Sequence, residues 1–202
     1  MKLSILLTAI LLQLTGIAQG TMYDICPIKN SEKVPTAAVT DTSGESIQLH
    51  QYIGERPVVV VFYRGGWCPY CTRHLSALGE VKSQIDSLGF ELIAITPDNF
   101  NKLDSSVIRG GGIDYTLFSD TDAQAMKAFG IDWKIDDKLY KKYKEEYGMD
   151  VEWWSGSDHH MLPVPSIFII DKGIIQYQHV DPKYSQRLSN ELLLAFITAV
   201  NE

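Results

Sequence analysis

The sequence predicts one α/β domain, a mixed and mostly parallel sheet with helices on both sides. Three observations lead to it. The runs "PVVVVFY" and "FELIAIT" are apolar and β-branched on both faces, the mark of strands covered from both sides. Between them Leu75, Leu78, Val81, Ile85 and Leu88 recur at helical spacing. Strands and helices then alternate in the order β-β-α-β-α-β-α, followed by a hairpin and a last helix, which is the pattern of strands joined by helical crossovers.

Each element has its own signal. "MKLSILLTAILLQLTGIAQG" carries one lysine, an apolar core from Leu3 to Leu14 and small residues at Ala18 and Gly20. It reads as a signal peptide over 1–20, cleaved near Gly20-Thr21. The rival, a membrane anchor, needs about 20 apolar residues and this run is shorter, so no stable membrane insertion is expected after cleavage. Thr21 to Ala38 is irregular, and "AVTDTSGESIQLHQYI" alternates around Ser43-Gly44 as a short N-terminal hairpin. The helix that starts near Cys71 closes at Gly89. A weaker helix spans Asn101 to Ile108 and ends in Gly110-Gly111-Gly112. "DYTLFSD" is a third strand, and Asp122 to Phe129 a short helix capped by Asp120 or Thr121. "SIFIID" and "IIQYQHV" flank Lys172-Gly173 as a hairpin. The last helix runs from Ser185 to Val200 with Leu188, Leu192, Phe196 and Val200 on one face.

Asp132 to Met161 interrupts this order as a helical insertion. "DDKLYKKYKEEYG" reads as a helix with a solvated, charged surface. The cluster Trp153, Trp154, His159 and His160 reads either as the lining of a site or as an ordinary loop anchor. His179 and Asp181 in "HVDP" end a strand and organise a turn.

The 202 residues, 45% of them apolar, suffice for one well-packed domain over 21–202 and not for two. The net charge of -7 excludes a nucleic-acid surface, which needs a basic face. Export through the leader places the mature chain in the periplasm or outside the cell, where cysteines form or exchange disulfides.

The chemistry gathers at "FYRGGWCPYCTRHL", which holds two of the three cysteines. Zinc asks for four ligands, and the sequence offers no second CxxC; the adjacent histidines lie about ninety residues on, so a metal site is a weak alternative. Covalent haem needs a histidine directly after the second cysteine, and Thr72 stands there. A structural disulfide across so short a gap stabilises little. A redox pair fits best. At a strand-to-helix junction Cys68 meets unpaired backbone N–H groups that favour a thiolate. Pro69 suits the first helical turn, Arg64 and Arg73 add positive charge, and no acid lies between Arg56 and Glu80. The expected direction of the thiol pKa is downward. Cys26, beside Pro27, reads as a lone cysteine, with a resolving or intermolecular role as its alternative. In "LPVPSIFIID" the residue before Pro165 is held extended and the proline opens a strand.

"WCPYC" with a later "VP" ahead of a strand resembles thioredoxin and its relatives, and Cys68-Pro69-Tyr70-Cys71 matches the tetrapeptide of glutaredoxins. The wider layout, from Val34-Pro35 through "GESIQLHQYIGERPVVVVFYRGGWCPYC" to "HVDPKY", is similar to the peroxiredoxin-like proteins of the AhpC/TSA group over nearly all of the mature chain. The resemblance implies a thioredoxin-like (redoxin) fold without metal or cofactor, and Cys68 and Cys71 as catalytic residues. It also implies a cis Pro165 which, with Val164, offers backbone groups to a bound thiol partner, and Trp67 and Arg64 beside the substrate. The function implied is a thiol peroxidase that takes hydrogen peroxide and organic hydroperoxides and is reduced by a thioredoxin-like protein. The alternative is a periplasmic thiol-disulfide oxidoreductase acting on protein disulfides. A peroxiredoxin Pro-x-x-x-Thr-x-x-Cys loop, laid on this chain, puts the proline at Arg64, the threonine at Cys68 and the peroxidatic cysteine at Cys71. The thioredoxin template instead makes Cys68 the nucleophile, as the more exposed thiol, and puts its buried acid at Phe62. A non-catalytic binding platform, the third class, would need neither both cysteines nor the site proline.

Overall fold

The computed structural model describes residues 21–105 and 112–201. The expected signal peptide over 1–20 lies outside them, as do the end of the helix expected to reach Ile108 and the Gly110-Gly111 part of its break.

Strands β1 (Ala38–Thr40) and β2 (Ser46–Gln48) pair antiparallel. Asp41 shapes their turn by accepting from the backbone N–H groups of Ser43 at 2.8 Å and Glu45 at 2.9 Å. The alternating pattern expected beyond β2 gives way to a short helix, α1 (Leu49–Ile53), because Leu49 and Ile53 lie four apart and both enter the core. β3 (Val58–Phe62) leads through a loop to α2 (Pro69–Ser87), and Gly89 turns the chain at φ +83° into β4 (Glu91–Thr96). Beyond β4 a 3₁₀ turn over Phe100–Lys102 opens the expected weaker helix. β5 (Thr116–Ser119) follows, then α3 (Gln124–Ala128). The Asp120 carboxylate caps α3, accepting from the N–H groups of Ala125 at 2.9 Å and Met126 at 2.8 Å.

The insertion is clamped at its base by a two-stranded ribbon, β6 (Asp132–Lys134) with β7 (Met161–Pro163), that carries α4 (Asp137–Tyr147) and α5 (Val151–Ser155). β8 (Ser166–Asp171) and β9 (Ile174–Val180) form the expected hairpin; Lys172 and Gly173 both adopt positive φ, the combination whose twist matches two right-twisted strands. The last helix, α6 (Asn190–Asn201), starts five residues later than the expected Ser185. The stretch before it stays irregular because Leu188 is drawn into the core and Arg187 is tied to the carbonyls of Tyr184 and Gln186. Of its expected face, Leu188 is buried and Phe196 and Val200 pack against the core, but Leu192 is 53% exposed, and Leu193 and Ile197 are the fully buried residues of the helix.

Seven strands make one sheet in the order β2-β1-β5-β4-β3-β8-β9. β3, β4 and β5 run parallel, and the strands on either flank are antiparallel. Side chains of β3 alternate between two apolar layers. Val59 and Val61 meet Leu75 and Leu78 of α2 and Leu193 of α6, while Val58, Val60 and Phe62 meet Leu49, Met126 and Phe129 on the other face. Both layers are buried, so a strand without a polar residue is what this central position requires. Its C-terminal end delivers the chain to the N-terminus of α2, where the two cysteines lie.

Candidate active site

The loop from β3 to α2 is built around a position only glycine can fill. Gly65 adopts φ +149°, and a Cβ there would lie 2.7 Å from Asp98 Oδ1 and collide with the Trp67 indole. Gly66 N–H donates to Asp98 Oδ2 at 2.7 Å, fixing the loop to the end of β4. Cys68 then falls on the residue that caps α2, with Pro69 at the first helical position. Its carbonyl accepts from the N–H groups of Cys71 and Thr72, both at 3.0 Å. Neither thiol is in a disulfide in this structure. Cys68 is 2% exposed and Cys71 is wholly buried, so Cys68 is the more exposed of the two, as expected, but by a small margin.

The two sulfurs share one proton unequally. The Cys71 thiol hydrogen-bonds to Cys68, and this contact, with Arg64, the Cys71 backbone N–H and Arg187 as further contributors, brings Cys68 down to about 6 against the opposing effect of burial. Burial, the same hydrogen bond and the charge of Cys68 push Cys71 well above its ordinary value. At pH 7 a group titrating near 6 is about 90% thiolate, against about 1% for one at its ordinary value near 9.

Two cations act on this pair. Arg64 is 3% exposed; its Nη2 donates to the Tyr143 hydroxyl at 2.6 Å, and its guanidinium lies 4.7 to 5.3 Å from the ring centres of Trp67, Tyr143 and Tyr184. The second is Arg187, whose Nη2 points at Cys71 Sγ from 3.5 Å. Arg73, expected to contribute, is turned to solvent. The absence of acid near the pair holds along the sequence and not in space, since Asp98 is buried beneath the loop at 1% exposure. The position to which a thioredoxin template assigns its acid, Phe62, packs instead against Phe129 and Phe168.

The remaining expected site residues divide. Val164 and Pro165 are buried at the start of β8. The expected cis bond is overturned: among the described residues no peptide bond is cis. Val164 N–H donates to Ile131 O at 2.8 Å and Pro165 O accepts from Asp181 N at 3.3 Å, so the extended ribbon of β7 continues straight into the sheet in the trans form. Tyr70 is 41% exposed and lies edge-on to Tyr184. Of the aromatic and histidine cluster, Trp154 is a core residue, whereas Trp153 is exposed with the Lys102 ammonium 3.4 Å from its ring centre. His159 Nε2 contacts Thr121 O, and His160 Nε2 contacts Glu152, both at 2.7 Å. These are anchors of the insertion. Asp181 organises its turn as expected, accepting from Lys183 N at 2.8 Å. Cys26 is exposed, with its carbonyl beside Gly130. Among the described residues no group of three or more His, Cys, Asp or Glu side chains is disposed to hold a metal, and no helix is long and apolar enough to cross a membrane.

Four site residues escaped the sequence reading: Tyr143, Asp98, His74 and Arg187. Tyr143 sits in a run that looks wholly solvated. His74 was hidden by its polar neighbours, yet it is 8% exposed, and burial followed by the charges of Arg187 and His179 brings it down to about 3. Only the helical spacing of His74 to Cys71, one turn apart on α2, could have pointed to it.

The sequence pattern of the AhpC/TSA family matches residues 31–178, which takes in both cysteines, the loop between β3 and α2, and all but the last two residues of the β8–β9 hairpin. The chain belongs to the AhpC/TSA family. Relatives in that family include the peroxiredoxin Bcp of Escherichia coli strain K12, 30% identical over 105 residues, and the putative peroxiredoxin bcp of Haemophilus influenzae, 29% identical over the same length. In each case the match covers 52% of this chain and 66% of the relative, a little under two thirds of its length. Solved structures share the fold: reduced Prx3 of Vibrio vulnificus in complex with H2O2 superposes with a TM-score of 0.69 at 16% identity, covering 84% of this chain and 99% of that one. Peroxidoxin BcpB of Mycobacterium tuberculosis gives 0.63 at 17% identity, covering 86% and 98%. The thioredoxin-like fold of the family, a central mixed sheet flanked by helices, is therefore present.

Proposed function

We propose that the chain is a thiol peroxidase that reduces hydrogen peroxide and organic hydroperoxides through a Cys68/Cys71 dithiol-disulfide cycle. The observation that carries this reading is the buried, low-pKa thiol: Cys68 is brought down to about 6 by the Cys71 thiol and Arg64 and is 2% exposed, so a peroxide of a few atoms reaches it more readily than the disulfide of a folded substrate protein. The Cys68 thiolate attacks one peroxide oxygen, the O–O bond breaks, and water or an alcohol leaves with a proton, giving a sulfenic acid. The Cys71 thiol attacks that sulfur, expels water and closes the disulfide. A thiol reductant, by family analogy a thioredoxin-like protein, supplies the two electrons that reopen it. Arg64 replaces the family proline and places a positive charge where the leaving oxygen becomes negative.

The alternative, exchange with protein disulfides, draws on the Cys-Pro-Tyr-Cys tetrapeptide at a helix cap. Peroxide consumption with a thioredoxin system, run beside insulin reduction, separates the two. Rapid peroxide loss with slow insulin reduction is expected, and the reverse would favour the alternative. The short apolar run of the first twenty residues, read as a signal peptide, is what supports export of the mature domain; a mature N-terminus near Thr21, read by mass, tests it.

A further inference from the structure

A cleft of about 360 Å³ opens beside the cysteine pair, between the first turns of α2 and the irregular strap before α6. Tyr70, Arg73, His74 and Ala77 form one wall, and Arg187 and Asn190 the other. Hydrogen peroxide needs little more room than a water, about 30 Å³, so the cleft is far larger than that substrate requires and falls in the range that holds small molecules or an extended side chain. Three features describe what would enter. Arg187 belongs both to the cleft and to the pair, with Nη2 3.5 Å from Cys71 Sγ. Arg73 and Arg187 outnumber the one acid, Glu191, among the lining residues. His74, more than nine-tenths buried, has no hydrogen-bond partner at Nε2. Neither cysteine is among the lining residues; Cys71, wholly buried, is joined to the cleft through Arg187, which makes no such contact with Cys68 among the described residues.

We propose that the thiolate that reduces the oxidised enzyme enters through this cleft, pairs with Arg73 and Arg187, and attacks Cys71 Sγ rather than Cys68. This rests on the peroxidase cycle in that it needs the Cys68–Cys71 disulfide. The incoming thiolate forms an S–S bond to Cys71, the Cys68–Cys71 bond breaks, and Cys68 departs with the electron pair. A second thiolate attacks the reductant sulfur of that mixed disulfide, releases the oxidised reductant, and leaves Cys71 to take up a proton. Expelling Cys68 is the easier direction, because exchange is faster when the leaving sulfur is the more stabilised anion. Arg64 and the α2 N-terminus provide that stabilisation, whereas the environment of Cys71 opposes its charge.

The test is a trapping experiment on the full mature domain. The disulfide is formed in one sample with hydrogen peroxide and in another with diamide. Each is mixed with limiting 2-mercaptoethanesulfonate, or with a thioredoxin lacking its second cysteine, then quenched with N-ethylmaleimide and mapped by peptide mass. The expected product carries the reductant on Cys71 and maleimide on Cys68. The reductant on Cys68, or an even split, overturns the proposal. An adduct from mercaptoethanesulfonate alone supports it with a small thiol as the source, and an adduct from both supports it with a protein thiol admitted. Failure of peroxide alone to form the disulfide would instead overturn the peroxidase reading, because the diamide sample still reports the point of attack. Filling the cleft with Ala77→Leu is expected to slow reduction of the disulfide at least tenfold. Arg73→Glu should do likewise and Arg73→Lys much less; equal rates for all three would overturn the proposal.

Discussion

The Arg64 guanidinium donates to the Tyr143 hydroxyl at 2.6 Å, across 79 residues of sequence, and so ties the helical insertion to the loop that presents Cys68. The contact is buried, and its donor is one of the charges that hold the Cys68 thiolate. Removing the acceptor leaves a buried guanidinium short of a partner, a loss of about 1.5–3 kcal/mol for a bond to a charged group. Tyr143→Phe should lower stability by that order in chemical denaturation and slow oxidation of Cys68. An unchanged denaturation midpoint would mean that the insertion docks without this contact.

Thiolate chemistry predicts the pH dependence. The reactive form is the anion, and Cys68 titrates near 6, so the rate of its oxidation by peroxide should rise through pH 6 and level off above pH 7. Stability should follow the same ionisation. A thiol whose pKa falls on folding contributes stability that is present in full above its unfolded value of about 9 and is lost as pH falls through 6. Relative to Cys68→Ala, the reduced wild type should lose its advantage in denaturation midpoint over that range.

Cys71 is the first cause of the low Cys68 value, ahead of either arginine. Cys71→Ala should therefore raise the Cys68 pKa clearly, read by ultraviolet thiolate absorbance, whereas Arg64→Met should raise it less. A tenfold fall in the acid ionisation constant corresponds to about 1.4 kcal/mol of lost anion stabilisation. Equal effects would move the main role from the neighbouring thiol to the guanidinium.

His74 resists charge where Cys68 welcomes it. Its imidazole, held near 3 by burial and by the charge of Arg187, stays neutral in the folded chain, while the unfolded chain protonates it near 6.5. The contribution is present above pH 6.5 and is lost as pH falls from there towards 3. Urea titrations at stepped pH should show wild type weakening more steeply over this window than His74→Phe.

Gly65→Ala tests the loop itself. The backbone there is in a region that suits only glycine, and the added Cβ meets the Trp67 ring and Asp98. A loss of about 2 kcal/mol or more is expected from strain of this kind, together with slower oxidation of Cys68. By contrast Leu75→Ala, in the layer beneath, should cost about 2–5 kcal/mol through the cavity it leaves.

The sequence by itself determined the elements whose signals are local. Unbroken β-branched runs can only be covered strands, Pro69 and Gly89 bound a helix, Lys172-Gly173 sets a hairpin, and a CxxC at a strand-to-helix junction puts a thiol on a helix cap. What only the tertiary structure decided is everything that surrounds that thiol. Arg187 reaches Cys71 across 116 residues, Asp98 enters under the loop from the end of β4, and Tyr143 reaches in from a helix whose pattern looks wholly solvated. The isomer of Pro165 and the start of α6 were settled in the same way, by hydrogen bonds and burial reaching distant parts of the chain. Periodicity records which face of an element is covered. It carries no record of which distant charge will stand opposite a buried sulfur, because that depends on how the covered faces are stacked.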